Sequence, residues 1–233
     1  MSKPATQSVR STARAERMPL GERPAKSLLD RAYNEIKFRI ITCRYRPGEV
    51  LSEAAISLEL KIGRTPIHQA IHHLMMDGLV SIIPRKGVMV RPVSIDEAME
   101  ITGVRLVTEC YCARLAADRA DDSELQRLQD ILESSERIVE ERNVEQMMLL
   151  DREFHDILAR AARNSVLADV LRNLHERSLR FWFISLRDPD HHRNVWAQHR
   201  AIVKALQSRQ PDAAEAAMRE HILAFQRNVT RQV

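Results

Sequence analysis

Glycine is scarce in this chain: Gly21, Gly48, Gly63, Gly78, Gly87 and Gly103 are the only six in 233 residues. They lie too far apart to write a phosphate-cradling loop, a dinucleotide fingerprint or a Gly-x-Ser-x-Gly elbow, which disfavours nucleotide-dependent and serine-hydrolase chemistry. Cysteine is scarce too. Cys43, Cys110 and Cys112 give an odd count, and no apolar leader or run of 18 apolar residues accompanies them, so a reducing cytoplasm and no membrane association are expected. Cys110 and Cys112, two apart in a helical pattern, stand about 200° around the axis and cannot both face one metal. What remains is an ordinary soluble composition, long enough for one large core or two modest ones.

Charge divides the chain. Residues 1–92 hold 16 Lys+Arg against 8 Asp+Glu and residues 93–233 hold 20 against 24, so one part is +8 and the other −4. That asymmetry suggests a nucleic-acid-facing part joined to a part with another task. Residues 1–24 have few large apolar groups and read as a disordered basic arm.

Residues 25–92 read as the first folded unit. Leu28, Leu29, Ala32, Ile36, Ile40 and Ile41 recur at helical spacing until Arg46-Pro47-Gly48 stops the helix near Thr42. Ser52 opens a second helix through Leu60, its hydroxyl accepting first-turn amides. A third begins at Arg64-Thr65-Pro66, where proline loses nothing by lacking an N–H, and ends at Asp77-Gly78. Two strand-like runs, 79–83 and 88–91, flank Pro84-Arg85-Lys86-Gly87. Three helices and a basic hairpin make a winged helix-turn-helix, whose third helix suits the major groove and whose wing tip reaches phosphate or the minor groove.

The words Tyr33, Arg46-Pro47-Gly48-Glu49, Leu51-Ser52-Glu53, Arg64-Thr65-Pro66-Ile67, Gly78-Leu79-Val80 and Lys86-Gly87 closely resemble the DNA-binding domain of GntR-family transcription regulators. The resemblance implies operator contacts from Arg64 and Thr65 at the start of the recognition helix and from Gly87 at the wing tip; His68 on the same helix and Arg85 and Lys86 on the basic tip are further candidate DNA contacts. Three positions depart from the family pattern: His68 stands where an arginine is usual, Ala54 where the second helix often carries one, and Gly63 where a serine or threonine is usual. A neutral imidazole offers one donor and one acceptor in place of a guanidinium fork. Operator sequence is therefore not transferable, and salt dependence should flatten unless Lys61, Arg85 and Lys86 compensate.

From 93 to 233 every stretch reads helical: about 95–119, 122–141, 144–162, 165–187, 191–208 and 211–230, divided at capping or breaking residues such as Ser94, Asp121, Asn143, Asn164 and Pro211. The fold class is mainly α, a winged helix-turn-helix joined to an all-α bundle of six or seven helices. Polar residues break the apolar pattern at informative places. Asp151 and His155 are four apart, on one helical face flanked by Leu150, Phe154 and Leu158, while His199 and His221 lie inside apolar runs of two later helices. Buried polar groups need partners, and these four can supply each other with one by sharing a metal ion. Ordinary hydrogen-bonded core histidines are the other reading. His72, His73, His191, His192 and His175 are weaker candidates, His175 because no acid stands at the right spacing.

Arg105, Glu109, Ala113, Asp151, Phe154-His155, His199, Ile202 and His221 fall in the order and spacing of the FCD effector domain of FadR-like GntR regulators, which this half resembles. The resemblance implies four metal ligands, Asp151, His155, His199 and His221. Gln198 replaces a glutamate often found there, which leaves the partner of His199 open. Three imidazoles and a carboxylate suit a divalent ion, zinc first, then nickel, manganese or iron. Free coordination positions would favour a small carboxylate effector, with Arg105 as second anchor or else paired to a neighbouring acid. Arg152, Arg180 and Arg187 are further basic candidates. The expected function is a homodimeric repressor released from a double-stranded operator by that acid; the alternatives are a metal-dependent enzyme acting on a small acid, and a regulator with a purely structural metal.

Overall fold

The computed structural model describes the backbone of residues 27–185 and 189–232. The expected arm at 1–24, and Arg187, lie outside the described residues, as does the side chain of His191.

Local rules set most boundaries. Ser27 accepts the amide of Asp30 at 3.1 Å and starts α1 (Leu28–Ile41); Ser52 accepts that of Ala55 at 3.0 Å and starts α2 (Glu53–Leu60). The recognition helix α3 (Arg64–Met76) follows Gly63, which offers no side-chain cap, and leads through Asp77 into Gly78 at φ +73°. Ile36, Ile40, Ile56, Ile67, Ile71 and Leu74 interdigitate as the core of this head.

The wing is larger than a hairpin. Strands β2 (Val80–Ile83) and β3 (Gly87–Val90) pair antiparallel, and a two-residue strand β1 (Val50–Leu51) adds to the far edge of β3, giving the order β1-β3-β2. Two residues are too few for any alternation to show in sequence, so β1 is an addition to the expected hairpin. It also explains Gly87, whose φ is +119° and where a Cβ would stand 2.5 Å from the Leu51 carbonyl oxygen. Arg85, though not glycine, holds the left-handed turn at φ 63°.

The bundle comprises α4 (Ile95–Arg119), α5 (Asp122–Glu140), α6 (Val144–Ala161), α7 (Ser165–Ser185), α8 (Pro189–Gln207) and α9 (Pro211–Gln232). Asp121 and Glu124 form a reciprocal capping box at α5. The expectation that α8 starts at 191 is corrected to Pro189, since proline is tolerated in a first helical turn as readily as it breaks a helix. Phe154, Ile157, Leu158, Trp196, Ile202 and Ile222 fill the main core. A further apolar cluster joins Ile41 of α1 to Ile101, Met147, Met148, Leu179 and Phe225, so the head sits directly on the bundle.

Candidate metal centre and nucleic-acid interface

The periodicity that buries Phe154 and Leu158 turns Asp151 and His155 of α6 into the same core, where α8 brings His199 and α9 brings His221. Exposures of 2%, 8%, 0% and 4% leave all four out of water. Each offers a ligand atom, and these atoms lie within 4.8 Å of one another. Asp151 Oδ1 is 3.4 Å from His199 Nε2 and 4.0 Å from His155 Nε2. None of these three atoms has a hydrogen-bond partner among the described residues. Uncompensated burial of that kind is costly, and a cation bound by all three would relieve it.

The rings are held from behind. His155 turns Nδ1 to Glu109 Oε2 at 3.1 Å, and His221 turns Nδ1 to Gln198 Oε1 at 3.1 Å, which fixes the opposite nitrogens toward the cluster. Gln198 thus supports His221, not its neighbour. His199 is held by packing: Phe154 stacks on it at 4.0 Å and Trp196 meets it edge-on at 4.9 Å.

Burial drives His199 and His221 toward the neutral form, His199 to a pKa of about 3, and His175 is lowered likewise. Burial opposes ionisation of Asp151, but contact with His175 and the nearby His155 and His199 hold its carboxyl well below the usual range. Neutral imidazoles around a carboxylate are the protonation states a divalent ion requires. A stability consequence follows for protein kept in chelator. The unfolded chain protonates His199 below about pH 6.5 while the folded chain does not, so stability falls as pH drops from 7 toward 3. By pH 5 this one residue should cost about 2 kcal/mol. Urea midpoints at pH 7 and 5 measure the loss, and His199→Gln should shrink it.

The parts played by two residues were not read from the sequence. His175 on α7, set aside for want of an acid at helical spacing, is buried with Nε2 3.5 Å from Asp151 Oδ2. Its acid stands on the neighbouring helix α6, where no spacing rule reaches. Glu109 lies one turn after Arg105 and accepts its Nε at 2.5 Å. Burial would raise the Glu109 pKa, yet Arg105 and His155 hold it well below normal, so it is a fixed acceptor and not a group poised to move protons. Arg105 is therefore paired, though inside the bundle and not on its surface; it lies over Phe225 and lines a cavity of about 10 Å³ with Asp151, His175, Gln198 and His221. That is room for about one water. Arg152 pairs with Glu176 at 2.6 Å, and Arg180 donates to the Arg91 carbonyl at 2.6 Å. Cys110 and Cys112 are both buried but in different clusters, and burial pushes the Cys112 thiol up to about 12.

On the head, Arg64, Thr65, Arg85 and Lys86 are exposed. His68 is exposed as well, but its Nδ1 sits 3.0 Å from Glu53 Oε1, leaving Nε2 as its outward group. Without a side-chain cap at Gly63, the first-turn amides of α3 stay open beside Arg64.

Comparison with known families separates a regulator from an enzyme. The model for bacterial regulatory proteins of the gntR family matches residues 28–90, and that for the FCD domain matches residues 100–224. The chain belongs to the GntR family of regulators. It is 28% identical over 210 residues to the Escherichia coli K12 HTH-type transcriptional repressor RspR, covering 90% of this chain and 92% of that one. To the Nta operon transcriptional regulator of Aminobacter aminovorans it is 31% identical, covering 78% and 85%. In fold it is similar to E. coli McbR/YncC, with a TM-score of 0.80 at 20% identity over 88% and 98% of the two chains. This GntR-family protein is thus a DNA-binding transcription regulator and not an enzyme, with a winged helix-turn-helix before a helical FCD domain. No described helix is long and apolar enough to cross a membrane.

Proposed function

We propose that this regulator is a cytoplasmic homodimeric repressor that leaves its operator when a small carboxylate joins a divalent ion, zinc first, held by Asp151, His155, His199 and His221. The observation that carries the reading is the convergence of those four buried groups within 4.8 Å, with unpaired atoms facing inward. Zinc suits three nitrogens and one oxygen; nickel, manganese or iron would fit the same donors. A bound ion would polarise an acid's carboxylate, and Arg105 beside the same cavity offers it a second anchor. That cavity admits only about one water, so an acid seated within it would spread α4, α6, α7, α8 and α9, which line it, whereas the cavity of about 660 Å³ that reaches His155 and His175 from the other side has room for one. Arg64, Thr65 and His68 read the major groove, while Arg85, Lys86 and the Gly87 turn meet phosphate. Val104, Val107 and Tyr111 form an exposed apolar stripe along α4 that suits a second copy of the chain.

The test uses duplex DNA selected from random sequence by the full protein. Zinc-loaded protein should release it on addition of a small chelating acid recovered unchanged. An acid needs roughly a hundredfold preference for the released conformer, about 2.7 kcal/mol, to weaken binding as much. Acids that raise the melting temperature yet leave operator affinity untouched would overturn the reading.

A further inference from the structure

The contact between head and bundle has an apolar part and a polar part, and they constrain motion differently. Ile41 against Met147, Met148 and Leu179 is non-directional and tolerates sliding. The exposed Arg44–Glu145 pair, at 55% and 42%, fixes little. Arg180 of α7 also donates to the Arg91 carbonyl of the head at 2.6 Å, and beside it runs a polar chain whose Lys37 and Glu176 are buried and whose Tyr33, Asp77 and Arg152 are half-buried. Glu176 of α7 gives Oε2 to Lys37 of α1 at 2.9 Å and Oε1 to Arg152 of α6 at 2.6 Å. Lys37 Nζ donates to the Tyr33 hydroxyl at 3.2 Å, and that hydroxyl donates to Asp77 Oδ2 at 2.5 Å. Asp77 is the C-cap of the recognition helix, its amide bonded to the His73 carbonyl at 3.0 Å.

The other end of this chain is the candidate metal centre. Arg152 and Glu176 are the sequence neighbours of Asp151 and His175, so two adjacent contacts join α6 to α7: a 3.5 Å approach of Asp151 to His175 inside the core, and the Arg152–Glu176 ion pair toward the head. Asp151 is itself divided, with Oδ1 facing His155 and His199 and Oδ2 facing His175. A ligand engaging Oδ1 would move the carboxylate whose Oδ2 lies 3.5 Å from His175 Nε2, and with it the adjacent Arg152 that Glu176 holds.

We propose that Glu176, Lys37 and Tyr33 are positioning residues that convey the state of the Asp151 centre to the C-terminal end of the recognition helix. Directional hydrogen bonds suit this task, because a buried carboxylate shared between two domains keeps both its cations only over a narrow range of positions. The inference rests on metal occupying the centre as proposed above.

Its test compares operator affinity of chelator-stripped and zinc-reloaded full protein by fluorescence anisotropy, with zinc content determined on each sample. Wild type should differ between the two forms by about 5- to 150-fold, the usual range for coupled sites. Lys37→Met and Tyr33→Phe should keep their zinc and still bind DNA, while the ratio falls to within about twofold of unity. Lys37→Arg, which preserves the cation, should retain the wild-type ratio. A merely structural contact would shift both forms equally and leave the ratio intact, so a wild-type ratio in zinc-loaded Tyr33→Phe overturns the relay and spares the metal reading. Wild type that holds zinc but shows a ratio of one also overturns the relay; wild type that takes up no zinc overturns the metal reading beneath it. Should Lys37→Met fail to fold, Tyr33→Phe, which retains the ring, decides between these outcomes by itself.

Discussion

His199→Ala combined with His221→Ala should reduce bound divalent metal from about one ion per chain to near zero by elemental analysis. The two rings belong to different helices, α8 and α9, and their centroids are 4.7 Å apart. Of the four ligands, removing both leaves Asp151 and His155, a carboxylate and one nitrogen on a single helix; Glu109 and His175 also stand beside His155, but Glu109 is engaged by Arg105, so too few free donors remain to displace the hydration of a transition-metal ion. Thermal and chemical stability provide a second readout. At free zinc a thousandfold above its dissociation constant, a site present only in the folded chain stabilises it by about 4 kcal/mol, and this increment should vanish in the double variant. Because alanine also removes the Phe154 stack on His199, the comparison is between zinc and chelator for each variant, not between variants. His175→Ala supplies the contrast. As a partner of Asp151 and not one of the four, it should keep the ion with affinity weakened by about 10- to 100-fold. Full retention of metal by the double variant would mean that the ligands are misassigned.

The contrast between His175 and the other four shows which information a sequence holds. Asp151 and His155 share a helical face, and His199 and His221 interrupt apolar runs, so one-dimensional periodicity marks all of them as inward polar groups. Helix ends were legible for the same local reason: Ser52, Ser94, Asp121 and Asn143 each cap the amide three residues on. His175 also points inward, but its acid arrives from another helix, and no spacing within α7 announces that. Glu109 is a similar case. Its carboxylate lies between Arg105, one turn away, and His155, 46 positions on, so only packing shows that it backs the centre. Strand β1 fails for a different reason, being two residues whose pairing with β3 is decided by the Gly87 turn. Local chemistry was readable; the pairing of groups between helices, on which the ligand support and the contact with the head depend, was not.

Arg64→Ala should lower affinity for the selected operator by about 1–3 kcal/mol at each half-site, about 5- to 150-fold per arginine, with the helical FCD domain still folded and metal-loaded. Arg64 is the first residue of α3, exposed and unpaired by any described acid, beside first-turn amides that Gly63 leaves uncapped. A guanidinium placed there reaches guanine O6 and N7 with both prongs, so its loss should fall mainly on the matched sequence and leave unrelated DNA bound nearly as before. Lys86→Ala sets the reference. Exposed on the turn that the Ile83 carbonyl closes with the Lys86 amide at 3.1 Å, Lys86 meets phosphate, and its removal should weaken binding to all sequences alike while lowering the salt slope by about one. His68→Ala should cost less than Arg64→Ala, because Glu53 already engages one of its ring nitrogens and leaves a single group for a base. Anisotropy titrations with matched and scrambled duplexes at several salt concentrations separate these outcomes. Wild-type affinity for the matched duplex in Arg64→Ala, or a loss confined to the matched duplex in Lys86→Ala, would reverse the assignment of base and phosphate contacts between recognition helix and wing.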